Sequence, residues 1–96
     1  MIRQIFDNLK GTFIPIKGED IVMEGLTFPF FVHREIGGTL WVVSETESGF
    51  GFLIVKDKVK KNAIHRASER ITQVGAIEYQ RRIQSLVTQV KQRHNL

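Results

Sequence analysis

The chain has 96 residues, 42% of them hydrophobic and 25% charged, with 14 Lys/Arg against 10 Asp/Glu and no cysteine. That length predicts a single domain over residues 1–96 with one modest core, and the composition is that of a globular protein rather than a disordered tail. Without cysteine there is neither a disulfide framework nor a thiolate metal site, which suits a reducing, cytoplasmic home, and no apolar run reaches the ~20 residues of a membrane span or the pattern of a signal peptide.

Ile2, Ile5, Phe6 and Leu9 fall on one helical stripe that Gly11 stops, so a short N-terminal helix is expected, too short to be stable unless it packs on something. From Thr12 the pattern changes to strands. Phe13, Ile14 and Ile16 surround Pro15, and Ile21, Val22 and Met23 follow the turn-forming Lys17, Gly18 and Glu19. Three longer strand candidates come next, Leu26 to Arg34, Thr39 to Glu45 and Phe50 to Lys56, joined by Glu35-Ile36-Gly37-Gly38 and Thr46-Glu47-Ser48-Gly49. Glycine-bearing links this short are hairpin connections, which predicts an antiparallel meander. Pro29 supplies no ladder donor, so its strand lies at an edge or carries a bulge there.

Asp57 is the expected N-cap of a helix whose apolar face is Ala63, Ile64, Ala67, Ile71 and Val74. Gly75 interrupts the pattern, and Ala76, Tyr79, Ile83, Leu86, Val87 and Val90 mark a second stripe running almost to the end; Gly75 either sits inside one long kinked helix or, the favoured reading, breaks it in two. The fold class is therefore α+β: an antiparallel β-meander with a short N-terminal helix and two C-terminal helices packed on the sheet. Leu40 and Val42 on one strand face and Trp41 and Val43 on the other are all apolar, so both sheet faces need cover. Either the N-terminal elements close the second face or an apolar surface remains there for a partner or a homodimer.

Catalytic chemistry is not spelled out. His33, His65 and His94 lie in different elements, with no spacing that suggests a metal site or a nucleophile pair, and no cofactor is implied. His65 and Glu69 stand one helical turn apart and read as a solvated pair. His33, Arg34 and Glu35 are adjacent in a strand, where successive side chains diverge. The acidic pieces Glu19-Asp20 and Glu45-Thr46-Glu47 read as solvated loops. Gly49 and Gly51 form a G-x-G that leads into a strand instead of a helix, so it is no phosphate loop.

The charge is divided unevenly: residues 1–55 carry four Lys/Arg and seven Asp/Glu, net −3, and residues 56–96 carry ten and three, net +7. Such a division points either to an anionic partner or to acidic and basic parts that neutralise each other within the fold. Placed on their helices, Lys61, Arg66, Arg70, Arg81, Arg82, Lys91 and Arg93 scatter over several faces, unlike an aligned phosphate-tracking groove. The dense cluster is Lys56, Lys58, Lys60 and Lys61.

Gly49-Phe50-Gly51-Phe52-Leu53 resembles the aromatic core of the first ribonucleoprotein motif of RNA-recognition and cold-shock domains, and Phe30-Phe31-Val32-His33 resembles its companion strand. The resemblance implies that Phe31, His33, Phe50 and Phe52 stack bases while the four lysines meet phosphates. Here Ser48 stands where those domains carry a basic residue, and the two segments occur in the reverse order. The span from Trp41-Val42-Val43-Ser44 to Lys60-Lys61-Asn62-Ala63-Ile64 is similar to small proteins of phages and other mobile elements. That likeness implies a non-enzymatic accessory protein that binds and inhibits or redirects host machinery, including defence systems. The expected partner is thus a protein, bound through the sheet-face residues Phe31, His33, Trp41, Phe50 and Phe52 or through the last helix, with single-stranded nucleic acid as the alternative.

Overall fold

The structure, a computed structural model, describes residues 1–23 and 26–96, and the side chains of all of these except 22, 23 and 26–28. Five antiparallel strands, β1 (Ile2–Asp7), β2 (Thr12–Met23), β3 (Leu26–Arg34), β4 (Trp41–Glu45) and β5 (Leu53–Asp57), lie in the order of the chain. Two helices follow, α1 (Lys60–Val74) and α2 (Ala76–His94). The α+β class, the meander and the two C-terminal helices are as expected.

The N-terminal helix is not there. Residues 2–7 form β1, paired from Ile2 with Lys17 to Asp7 with Thr12. Asp7 shapes the turn: its Oδ1 accepts from the Leu9 and Lys10 amides at 2.9 and 3.2 Å, and its carbonyl accepts from Gly11, whose φ of 67° suits glycine. Ile5 and Phe6, neighbours in sequence, are both buried because both sides of β1 are covered. Ile5 packs toward Gly51, and the Phe6 ring meets Phe50 and His94 at 5.4 and 5.2 Å. Two successive buried positions defeat a two-residue alternation and leave a spacing that imitates a helix. Leu9, the fourth member of that stripe, is 99% exposed in the turn.

Lys17, Gly18 and Glu19 do not form a turn. They lie inside the continuous β2, which pairs through residues 12–17 with β1 and through Gly18 onward with β3. The β1–β2 hairpin thereby folds over the sheet face opposite the helices, and Phe31 and His33 end up only 1% and 4% exposed. The β2–β3 register shifts between Ile21 and Met23, so the strand carrying Pro29 is an interior strand with a bulge.

The other face carries the larger core. Phe30, Val32, Val43 and Val55 meet Ala63, Ala67 and Ile71 of α1 and Tyr79 and Ile83 of α2. Alanine at positions 63 and 67, both fully buried, lets α1 lie close to the strands, and the spacing of four keeps the face aligned. The N-cap of α1 is Val59 and not Asp57; Asp57 instead accepts the Val59 amide at 2.9 Å and the Arg66 guanidinium at 3.2 Å. Gly75, with φ 90° and ψ 136°, ends α1 and starts α2, which settles between a break and a kink in favour of the break. None of the described helices is long and apolar enough to cross a membrane.

Candidate functional site

The five aromatic and histidine positions do not form one surface. Phe31 and His33 share the inner side of β3, as strand alternation requires, with ring centroids 5.1 Å apart. Both lie under the β1–β2 hairpin. Phe50 is buried in a smaller cluster with Phe6 and Val90, and Phe52 is half-buried beside it, its ring stacked on Phe50 at 5.7 Å. These two precede β5 and are not part of it; Gly49 and Gly51 adopt φ of 81° and 70°, which bends the approach. Trp41 sits on the opposite, helix-covered side of the sheet, half-buried between cations.

His33 has both ring nitrogens engaged. Nδ1 lies 2.7 Å from the Arg34 carbonyl, which can only accept, so Nδ1 carries the proton. Nε2 is therefore the acceptor for the buried Ser44 hydroxyl at 2.9 Å. Burial pushes the His33 pKa below its ordinary 6.5, consistent with a neutral ring in this arrangement. The pair forms the floor of a cleft of 280 Å3 between β1 and β5, walled by Ile5, Val42 and Phe52. Its rim holds Ile36 and Leu53, 56% and 48% exposed, and the Lys56–Glu35 ion pair at 3.3 Å. The Leu40 amide, followed by Lys56, holds the Glu35 carboxyl below its ordinary value.

A second cleft of 190 Å3 lies between the end of β1 and α2, lined by Asn8, Leu86, Gln89 and Arg93. Phe6 and Phe52 line both clefts, so the two meet at those rings. Ile36, Phe52 and Leu53 line the first cleft and Phe52 and Leu86 the second, so apolar residues run from the β3–β4 hairpin to the middle of α2 through the half-buried Phe52, with Leu86 41% exposed.

Sequence reasoning missed Glu45. Read as part of a solvated loop, it is fully buried, and its carboxylate accepts from the Ser48 amide at 2.9 Å, the Ser48 hydroxyl and the Phe52 amide at 3.0 Å. One side chain thus shapes the whole 46–52 loop and fixes Phe52 at the junction of the clefts. The signal available was Glu45 three residues before a Ser-Gly pair, a loop-closing spacing.

The lysine cluster is split by the fold. Lys56 is at the first cleft, whereas Lys60 turns to the far side, 2.8 Å from Glu19 and 5.2 Å from the Trp41 centroid. Lys60 in turn holds the Glu19 carboxyl below its ordinary value, through the hydrogen bond more than through charge. Lys58 and Lys61 are exposed and unpaired among the described residues. Two ion pairs, Lys56–Glu35 and Lys60–Glu19, join the basic and acidic parts of the chain. His65 and Glu69 make the solvated contact their spacing suggested, both more than half exposed. Among the described residues no group of three His, Asp or Glu is placed to hold a metal ion.

No family model, no curated protein and no solved structure matches the chain.

Proposed function

We propose that the protein is a non-enzymatic binding protein whose partner is another protein, docked across the joined clefts between β1, β5 and α2. The observation that supports this reading is the apolar path of Ile36, Leu53, Phe52 and Leu86. Three exposed apolar side chains, Ile36, Leu53 and Leu86, flank the half-buried Phe52, which lines both concavities. Arg93 at the rim of the second cleft favours a partner with a carboxylate beside its apolar anchor, whereas Lys56 at the first is already paired with Glu35. The resemblance read from residues 41–64 to small mobile-element proteins suggests the partner class, a component of host machinery that is inhibited or redirected by occlusion.

The test is affinity capture from nuclease-treated extract of the cells that carry the gene, using the wild-type chain and the Leu53→Asp and Leu86→Asp variants. Both substitutions are at exposed positions, and circular dichroism checks that they leave the fold unchanged. The expected result is one stoichiometric protein held by wild type and lost by both variants. Capture that is indifferent to both substitutions would falsify the assignment.

A further inference from the structure

Trp41 organises a different kind of site on the other side of β3. Its ring carries the Arg34 guanidinium at 4.0 Å and the Lys60 ammonium at 5.2 Å from the centroid. Arg34 is a cross-strand partner of Trp41, and its Nη1 also donates to the Thr39 carbonyl at 2.5 Å. Lys60 is held by Glu19 as well. Arg34 is therefore fixed before any ligand arrives, which removes much of the ordering cost that weakens a surface cation, whereas Lys60 is held in an ion pair that a ligand has to compete with. They face a cleft of 330 Å3 whose wall includes Lys17 and whose one carboxylate among the described residues is Glu19. Three cations against one carboxylate, on an aromatic platform, is chemistry for an anion carrying several oxygens.

We propose that this cleft binds the phosphate backbone of a nucleic-acid strand. A lone phosphate would engage the cleft only. Lys58, two residues before α1, and Lys61, in its first turn, flank Lys60 in sequence and are exposed and unpaired among the described residues, so a polymer of phosphates has further cations within reach that a lone phosphate does not. Phe31 and Phe50, expected as stacking groups, are buried and take no part. The contacts are to backbone and not to bases, so binding is indifferent to sequence. Glu19 is a built-in competitor, since an incoming phosphate must draw Lys60 away from it.

The experiment measures anisotropy of a labelled fifteen-residue oligothymidylate together with the fluorescence of Trp41, the one tryptophan in the chain. Each neutralised phosphate contributes about 0.7 to the salt slope for a single strand, so engagement of the cleft cations alone gives a log–log slope of roughly −2, and Lys58 and Lys61 steepen it. Arg34→Ala is expected to weaken binding and reduce the slope by about 0.7. Glu19→Gln is expected to tighten it, and Leu53→Asp, on the protein-docking side, to leave it unchanged. Inorganic tripolyphosphate serves as the second probe; equal affinity for it, with no gain from the longer strand, overturns the nucleic-acid assignment. No anisotropy change at low salt, or folded Arg34 and Glu19 variants that bind like wild type, overturns the site itself.

Discussion

Substitution of Gly18 by alanine tests most directly how the β1–β2 hairpin is seated over Phe31. A Cβ at Gly18 would lie 2.3 Å from the Val32 carbonyl oxygen and 2.7 and 2.8 Å from Cε2 and Cζ of the Phe31 ring, against a floor of 3.0 Å for real Cβ contacts. The first obstacle is backbone of an interior strand, and the second is a ring only 1% exposed, so neither can give way freely. Overpacking a tight core by one methyl costs about 1–3 kcal/mol, and two rigid obstacles place this change near the upper end. A domain of this size has about 5–14 kcal/mol to lose. At about 4–8 °C per kcal/mol the melting temperature should fall by roughly 12–24 °C, read by circular dichroism or Trp41 fluorescence. Adding Phe31→Leu should not restore stability, because the carbonyl remains in the way. Gly37→Ala is the matched control: with φ 70° and no atom within 4 Å of the added Cβ, it should lose only the ~1–2 kcal/mol of the left-handed backbone. A Gly18→Ala protein that melts within two or three degrees of wild type, by that ~4–8 °C scale, refutes the folding of the β1–β2 hairpin over Phe31.

Glu45→Ala leaves the Ser48 and Phe52 amides without their acceptor inside the protein and should cost at least about 2 kcal/mol in urea unfolding; Glu45→Gln, which can keep the Phe52 contact, should cost less. His33 is held below its ordinary 6.5 by burial, so the unfolded chain takes up the proton first as pH falls. The stability owed to its neutral form is thus complete above about 6.5, declines as pH drops toward the folded-state value and levels off beneath it; a urea midpoint with no His33-dependent change between pH 8 and pH 5 contradicts this. Gly75→Ala should destabilise by about 1–3 kcal/mol despite alanine's helix propensity, because φ 90° with ψ 136° is glycine territory; an unchanged melting temperature would mean that the two helices can merge without loss.

The sequence carried the two helices plainly, because α1 and α2 each bury one face and leave the other in water, so Ala63, Ala67 and Ile71 or Tyr79 and Ile83 repeat at the helical period. The meander was equally visible in its short glycine-bearing links. The first strand was not, since β1 is covered on both sides and Ile5 and Phe6 are buried by different neighbours: a periodicity argument sees burial but not which layer supplies it. The candidate site was legible only in part. Alternation put Phe31 and His33 on a common side correctly, but whether that side meets solvent depended on where β2 bends, a tertiary fact set at Gly18. The likeness of Gly49-Phe50-Gly51-Phe52 to a base-stacking strand depended on extended backbone, and positive φ at both glycines removes it. Glu45 was hidden for another reason: a buried carboxylate surrounded by amide donors has the same one-letter code as a solvated one.

A backbone bond of 2.8 Å from the Phe6 amide to the Phe50 carbonyl fastens the N-terminal hairpin to the loop that enters β5. The first cleft lies along that same seam. Occupancy of the cleft and attachment of the hairpin are consequently linked equilibria. A side chain wedged between Ile5 and Leu53 lowers the free energy of releasing the hairpin, and one that bridges the two edges raises it by the same differential affinity. Amide exchange along β1 should therefore register a bound partner even where that partner never touches β1, with the sign of the change telling a wedge from a clasp.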